Sequence, residues 1–284
     1  MKIGFWAAPE GADEALVLAP LADGEERVAR RAGVSFLATA QGAEAIARCP
    51  RAAALLPELV DALESQKASE LGRLFDITDY GVDDLELISQ ALGEGEVSGV
   101  AALPDGGVAE LKEATVAGVW RVRFQDAAGR IGADYLEIAA VPEVVRRVAS
   151  LGADRLSFGA PPPGAMNVMP LLAEIGDRMR CYAPGAPAHV INFSLLPMND
   201  LDMSFLQQTL GDGAVQLVSR GYGACKVTAT GARHVWSVQF FNASDAILLD
   251  TLEIGDIPAA ACAADEDFRD SAERLREIHE AYFT

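Results

Sequence analysis

Residues 119–124 read VWRVRF and residues 235–240 read VWSVQF, so one apolar and polar alternation returns after 116 residues. LEI at 136–138 returns at 252–254, and LLPEL at 55–59 is echoed by LLAEI at 171–175, both at the same spacing. LGEGEV at 92–97 returns as LGDGAV at 210–215, after 118 residues. A generic amphipathic pattern would not repeat Trp, Gly-x-Gly and Leu-Glu-Ile together. The four blocks therefore predict an internal duplication.

Each copy predicts the same series of elements. Apolar residues at helical spacing predict a helix before and a helix after a short strand, as in Leu56, Leu59 and Leu63 and then in Leu85, Ile88 and Leu92. A long strand region over 110–124, with its counterpart over 225–241, alternates apolar and polar residues and leads into a further strand. Helices grouped before a meander of strands predict an α+β fold with antiparallel sheets.

We therefore expect two tandem copies of a helix–strand–helix–antiparallel-meander unit, each closed by a C-terminal helix. The first α+β repeat covers residues 34–151 and the second covers residues 165–284. The linker over 152–164 contains PPPG, which breaks regular structure. Residues 1–33 have no counterpart in the second copy and are rich in Ala, Gly and acidic residues, which predicts a loosely ordered N-terminal arm.

The charge balance excludes some classes of partner. The chain has 284 residues, with 42 Asp plus Glu against 23 Lys plus Arg, a formal net charge of -19. Such an acidic chain disfavours nonspecific binding to nucleic acid and docking on anionic lipid. No apolar run approaches the ~20 residues of a spanning helix, and the run at 3–8 is too short for a signal peptide. We expect a cytoplasmic protein without membrane insertion.

Cysteines and histidines are dispersed along the chain. The cysteines are Cys49, Cys181, Cys225 and Cys262, with no CxxC pair. This spacing predicts reduced thiols, no disulfide framework, no metal site and no cofactor, although whether a cysteine ever binds metal stays open. Glu94 and Glu96 lie in a Gly-punctuated turn that matches no nucleotide-binding fingerprint, so they indicate solvated acids rather than a catalytic pair.

The sharpest local feature precedes the second Trp, where Arg233 and His234 replace Ala117 and Gly118. Strand alternation places His234 on the apolar face with Trp236 and Arg233 on the opposite face. A lone His there indicates a hydrogen-bonded core residue more often than a ligand. Arg233 can then meet a partner's carboxylate. A reactive Cys225–His234 pair is the alternative.

Other residues also suit contact with a partner. Tyr222 lies between Gly221 and Gly223, which fits either an exposed aromatic contact or an ordinary hairpin connection. Arg121 and Arg123 alternate with buried residues and predict a basic face. The candidate partner-binding residues are Tyr222, Arg233, His234, Trp236, Arg121 and Arg123. No catalytic or metal-ligating residue is predicted.

A set of motifs extends from about Cys49 to the C-terminus. It includes LGEGEVS at 92–98, WRVR at 120–123, MN at 166–167, GYG at 221–223, ATGARHVW at 229–236 and DSAERL at 270–275. On these motifs the sequence resembles the hydrogenase expression/formation proteins of the HupH/HyaF type, which are accessory factors for uptake nickel-iron hydrogenases.

The resemblance implies a cytoplasmic, non-enzymatic maturation factor. Its implied client is the iron-sulfur small subunit of a nickel-iron hydrogenase with its twin-arginine signal region, and a thioredoxin-like accessory protein is implied as companion. The alternatives are a scaffold or carrier of iron-sulfur or metal-cofactor fragments and an enzyme of unknown type. Which subunit or cluster is contacted, which repeat binds the client, and the stoichiometry stay open.

Overall fold

The computed structural model describes residues 47–220 and 224–283, so the predicted arm over 1–33 and the candidate Tyr222 lie outside the described residues. The described part forms helices and one antiparallel sheet of ten strands, which confirms the predicted combination of helices and antiparallel strands. The first half contains α1 (Pro50–Ser65), β1 (Arg73–Asp76), α2 (Val82–Leu92), β2 (Val97–Ala102), β3 (Val108–Glu113), β4 (Val119–Gln125), β5 (Ile131–Ile138) and α3 (Glu143–Ala149). The second contains α4 (Val168–Arg180), β6 (His189–Asn192), α5 (Asp200–Leu210), β7 (Asp212–Ser219), β8 (Cys225–Thr230), β9 (Val235–Phe241), β10 (Ile247–Ile254) and α6 (Asp265–Phe283), with short 3-10 turns after β6 and β10.

The two halves join inside the sheet, whose strand order is β1-β5-β4-β3-β2-β7-β8-β9-β10-β6. β2 pairs with β7 in a symmetric register: Val97 with Ser219, Gly99 with Leu217 and Ala101 with Val215. A Cβ on Gly99 would lie 2.4 Å from Leu217 Cδ2 and 2.5 Å from the Gln216 carbonyl oxygen. Glycine at this position therefore permits the close approach of the two central strands.

The long strand regions expected over 110–124 and 225–241 are in fact hairpins. β3 and β4 are joined by a turn in which Ala114 N–H donates to the Val119 carbonyl and Gly118 has a φ of 79°. β8 and β9 are joined by the corresponding turn over residues 231–234. The prediction of uninterrupted strands was wrong because the chain reverses at a left-handed residue, which strand alternation does not reveal.

The core lies on both faces of the sheet. A central cluster combines residues of both halves, including Trp120 and Trp236, and α3 covers it. The opposite face carries two outer clusters, one beneath α1 and α2 and one beneath α4 and α5. Burial of these apolar faces supplies the main driving force of folding.

Two buried carboxylates hold the helix layer together. Asp84 Oδ1 accepts a hydrogen bond from Ala52 N–H at the start of α1. Asp202 Oδ1 accepts from the N–H groups of Met166, Asn167 and Val168 at the start of α4. The first amides of a helix lack partners within the helix. A carboxylate from the following helix therefore fixes the angle between each helix pair.

The C-terminal segment of each half crosses to the other half. α6 packs along α1 and inserts Phe268, Ala272 and Leu275 into the first outer cluster. After α3, Ala153 bridges to Ala232, and Leu156 packs against the second outer cluster. The repeat boundaries at residues 151 and 165 therefore stay a prediction. In the structure, the C-terminal segment of each half packs against the other half.

Candidate functional site

Arg233 and His234 lie in the turn that precedes β9, not in the strand. His234 has a φ of 64°, and Gly118 occupies the matching place before β4 with a φ of 79°. The expectation that His234 shares the Trp236 strand face was wrong, because a residue with positive φ ends the alternation. A non-glycine residue in this conformation costs about 1 kcal/mol. Contacts of the imidazole have to offset that cost.

Those contacts come from the loop after α4. The Tyr182 ring stacks on the His234 ring, with centroids 3.6 Å apart and an angle of 15° between planes. The Tyr182 hydroxyl donates to Asp256 Oδ1, and Gly185 N–H donates to Asp256 Oδ2 at 2.7 Å. Gly255 N–H donates to the His234 carbonyl at 2.9 Å. The cluster of Tyr182, His234 and Asp256 thus ties the α4 loop to the start of β9 and the end of β10.

The electrostatics favour neutral groups in this cluster. Burial, followed by the neighbouring charge of Arg233, lowers the pKa of His234, while Asp256 opposes the shift. Burial and the hydrogen bond to Asp256 raise the pKa of Tyr182 to about 12. At neutral pH the stacked pair therefore consists of a neutral imidazole and a protonated phenol, which suits aromatic contact better than ion pairing.

Arg233 is half-buried beside the cluster. Its backbone N–H donates to the Ala153 carbonyl at 2.8 Å, which locks the turn to the segment after α3. Its buried Nε has no hydrogen-bond partner within the described residues. A buried donor without a partner is costly.

The other candidates lie elsewhere in the molecule. Trp236 is 3% exposed and belongs to the central cluster, like Trp120. Arg121 binds Asp134 in a bidentate ion pair at 3.0 and 2.7 Å, and Arg123 Nε lies 3.4 Å from the same carboxylate. Trp236 packs in the core, whereas the two arginines line a cavity of about 220 Å³ beside α2.

The structure does not bring all the candidates into one site. Between β4, which carries Arg121 and Arg123, and β9, which follows Arg233 and His234, lie β3, β2, β7 and β8. Five strand spacings correspond to about 24 Å. Apart from the buried Trp236, the described candidates therefore lie in two separate places: the turn before β9, and β4 with Arg121 and Arg123 beside Asp134.

Sequence reasoning did not single out Tyr182 and Asp256, which lie 74 positions apart in the chain. Their matching places in the first half hold Gln66 and Ala140. The departure of both positions from the repeat is the signal that could have found them. The sequence prediction also did not include Glu113 and Glu137, whose pKa values are raised to about 7 by burial.

Cysteine chemistry finds little support in the described part of the chain. Cys225 pairs in register with Phe240, whereas His234 precedes the opposite end of β9, about 20 Å away by strand rise. The alternative Cys225–His234 pair is therefore not formed. Burial raises the pKa of Cys225 and Cys262 to about 11, so both thiols stay protonated. Over the described ranges no three His, Cys, Asp or Glu side chains gather as a metal site.

Comparison with known proteins settles the family. A family model described as the HupH hydrogenase expression protein, C-terminal conserved region, matches residues 50–150 and again residues 165–282. The chain belongs to the HupH family of hydrogenase expression/formation proteins. Among the described residues, no helix is both long and apolar enough to cross a membrane.

Several relatives of the HupH family are similar over most of the chain. The hydrogenase expression/formation protein HupH of Rhizobium leguminosarum bv. viciae is 59% identical over 283 residues, covering 100% of both chains. The hydrogenase-1 operon protein HyaF of Escherichia coli is 36% identical over 239 residues, covering 83% of this chain and 82% of that protein. A solved structure of HupH from Thiobacillus denitrificans aligns with 39% of this chain and 92% of its own, at 26% identity and a TM-score of 0.37.

Proposed function

We propose that this chain is a hydrogenase maturation factor, a cytoplasmic and non-enzymatic chaperone of the iron-sulfur small subunit of a nickel-iron uptake hydrogenase before export. The observation that carries the proposal is the 59% identity, over both full lengths, to a hydrogenase expression/formation protein.

The charge of the chain suits the proposed client. A formal net charge of -19 attracts the basic head of a twin-arginine signal region and raises the rate of encounter more than the affinity. A thioredoxin-like accessory protein is the proposed companion. Neither nucleic acid nor the bilayer is a proposed partner, because an acidic surface repels both.

We also propose that the two halves arose by internal duplication. The family model matches once in each half, at 50–150 and 165–282. Both halves have the order helix, strand, helix, four strands and helix, and their central strands pair symmetrically about Gly99 and Leu217. The proposed repeats are residues 34–151 and 165–284, joined by residues 152–164.

We place the client contact at the turn before β9, with Arg233 and His234 as its described residues, and we keep Tyr222, which precedes β8 in the chain, as a further candidate. Arg233 is only half-buried and adjoins the stacked rings of His234 and Tyr182, which supports this placement. Replacing Tyr222 and Arg233 together by Ala should reduce co-purification of the small subunit. Arg130→Ala is the matched control, because Arg130 lies in an exposed loop and pairs with Asp126. Unchanged recovery with the double variant would contradict the placement.

The function itself is tested in cells. An affinity-tagged chain is recovered from cells that express the hydrogenase operon, with and without the small-subunit gene. The proposal predicts enrichment of the small subunit in the first culture and its loss in the second. Absence of every hydrogenase subunit from the first would overturn it. Metal analysis and a visible spectrum of anaerobically purified protein separate the carrier alternative, since a carrier would hold stoichiometric iron or nickel.

A further inference from the structure

Helices α1 and α4 occupy matching places but have different neighbours. Their buried residues follow one pattern at a shift of 116: Ala52, Leu55, Leu56, Leu59 and Leu63 in α1, and Val168, Leu171, Leu172, Ile175 and Met179 in α4. α1 packs against α2 and β5, and α4 packs against α5 and β10 in the same way. α1 has a further neighbour, because α6 runs along its other side.

The contact between α1 and α6 shows what this side of the helix binds. α6 is amphipathic, and its buried face presents Phe268, Ala272 and Leu275. Arg276 of α6 forms an ion pair with Glu64, near the C-terminal end of α1. Asp265, at the start of α6, accepts a hydrogen bond from Ala68 N–H, just after α1. This side of α1 therefore already binds an amphipathic helix of the same chain.

On α4 the same side is open within the described residues. The segment that follows α3 approaches the second half as the start of α6 approaches the first, with Gly152 against the turn at Arg233, but residues 154–158 then form neither a helix nor a strand. Between this segment and α4 lies a groove of about 380 Å³. Its apolar lining comes from Leu156, Phe158, Leu172 and Met179.

Two substitutions along α4 keep the groove accessible. Gly176 stands where α1 has the buried Val60, and a Cβ at Gly176 would meet no atom within 4 Å. Arg180 stands where α1 has Glu64, so the charge at the ion-pair position is reversed. Arg180 pairs with Asp177 on its own helix, and both side chains are about two-thirds exposed. Such a pair contributes little to stability and exchanges partners readily.

We infer that the groove between α4 and residues 154–158, the α4 groove, binds an amphipathic helix of the client protein. That helix presents apolar side chains at i, i+3, i+4 and i+7, like α6, and carries Asp or Glu opposite Arg180, where α6 carries Arg276. Helix-in-groove binding is a recurrent mode of peptide recognition. The inference rests on the proposed function for the identity of the partner.

A matched pair of substitutions at one residue tests the groove. Gly176→Leu fills it, while Gly176→Ala leaves it open, and both should preserve or raise thermal stability because each removes a glycine from a helix. In the co-purification from hydrogenase-expressing cells, Gly176→Leu should lower small-subunit recovery about tenfold, as expected for loss of a central contact. Gly176→Ala should retain wild-type recovery. Equal recovery with both variants overturns the inference, while the proposed function stands.

Photo-crosslinking identifies the occupant. A benzoylphenylalanine replaces Ala173, which lines the groove, or Arg178, which is exposed on α4 outside it. The inference predicts a cross-link from position 173, absent from 178, to an amphipathic client segment bearing Asp or Glu. Cross-links only to residues 1–46 of the same chain, only to α6 of a second copy, or to nothing overturn it. If the wild-type chain recovers no client, the proposed function fails. Binding in the α4 groove is then tested separately, by whether position 173 cross-links to an amphipathic acidic segment of another protein.

Discussion

At the scale of single residues, His234 combines an unfavourable backbone with a favourable ring contact. Ala at this position keeps the positive φ and loses the stack on Tyr182, whereas Gly loses the stack but relaxes the backbone. We predict that the free energy of unfolding of His234→Ala is about 1 kcal/mol lower than that of His234→Gly, because this is the usual cost of a non-glycine residue in the left-handed conformation. Urea denaturation measures this difference. Equal stability of the two variants would show that the turn carries no strain.

Glu137 makes the stability depend on pH. Burial raises its pKa to about 7 in the folded chain, against an ordinary value of 4.5. The folded state therefore holds a proton that the unfolded state has lost, so this contribution is complete below pH 4.5 and disappears as pH rises through 7. Relative to the wild type, the free energy of unfolding of Glu137→Gln should therefore rise by up to about 3 kcal/mol between pH 5 and pH 8. Urea titrations at both values test this, with exposed Glu58→Gln as control, and an unchanged gap would contradict it.

At the scale of elements, Asp202 joins α4 to α5. Four backbone N–H groups hold its pKa below the usual range although burial alone would raise it. Asp202→Asn should cost about 2–4 kcal/mol at pH 7, because buried N–H groups lose a charged acceptor. The difference in free energy of unfolding between the wild type and Asp202→Asn should narrow as pH falls through the pKa of Asp202 in the folded chain. Asp200→Asn, exposed in the same helical turn, should change little in the same urea titration, and equal losses would refute the assignment.

The elements that the sequence predicts best are those with strong periodicity. The stripe of Leu56, Leu59 and Leu63 correctly predicted α1, and the alternation after Trp120 correctly predicted β4. The turn at His234 was missed because a left-handed residue other than Gly leaves no periodic signal. The α4 groove could not be predicted from the sequence either, because it depends on which C-terminal segment packs against which half.

At the scale of the whole molecule, the halves interlock and should unfold together. Phe268 belongs to the second half in sequence but packs against Gly118 of the first half, where a Cβ would lie 2.4 Å from the Phe268 ring. We predict that Phe268→Ala costs about 3–5 kcal/mol. It should also lower amide-exchange protection in α1, which belongs to the other half. Protection lost only from α6 would contradict this coupling.

The proposed function requires that this chain bind the hydrogenase small subunit as a protein client. Biolayer interferometry of the purified full-length chain with the purified small-subunit precursor, at low and at high salt, measures this binding. We expect a dissociation constant of about 1 μM or tighter at low salt, with slower association at high salt because the attraction to the acidic chain is screened. A precursor that shows no binding at either salt concentration would refute the proposed function.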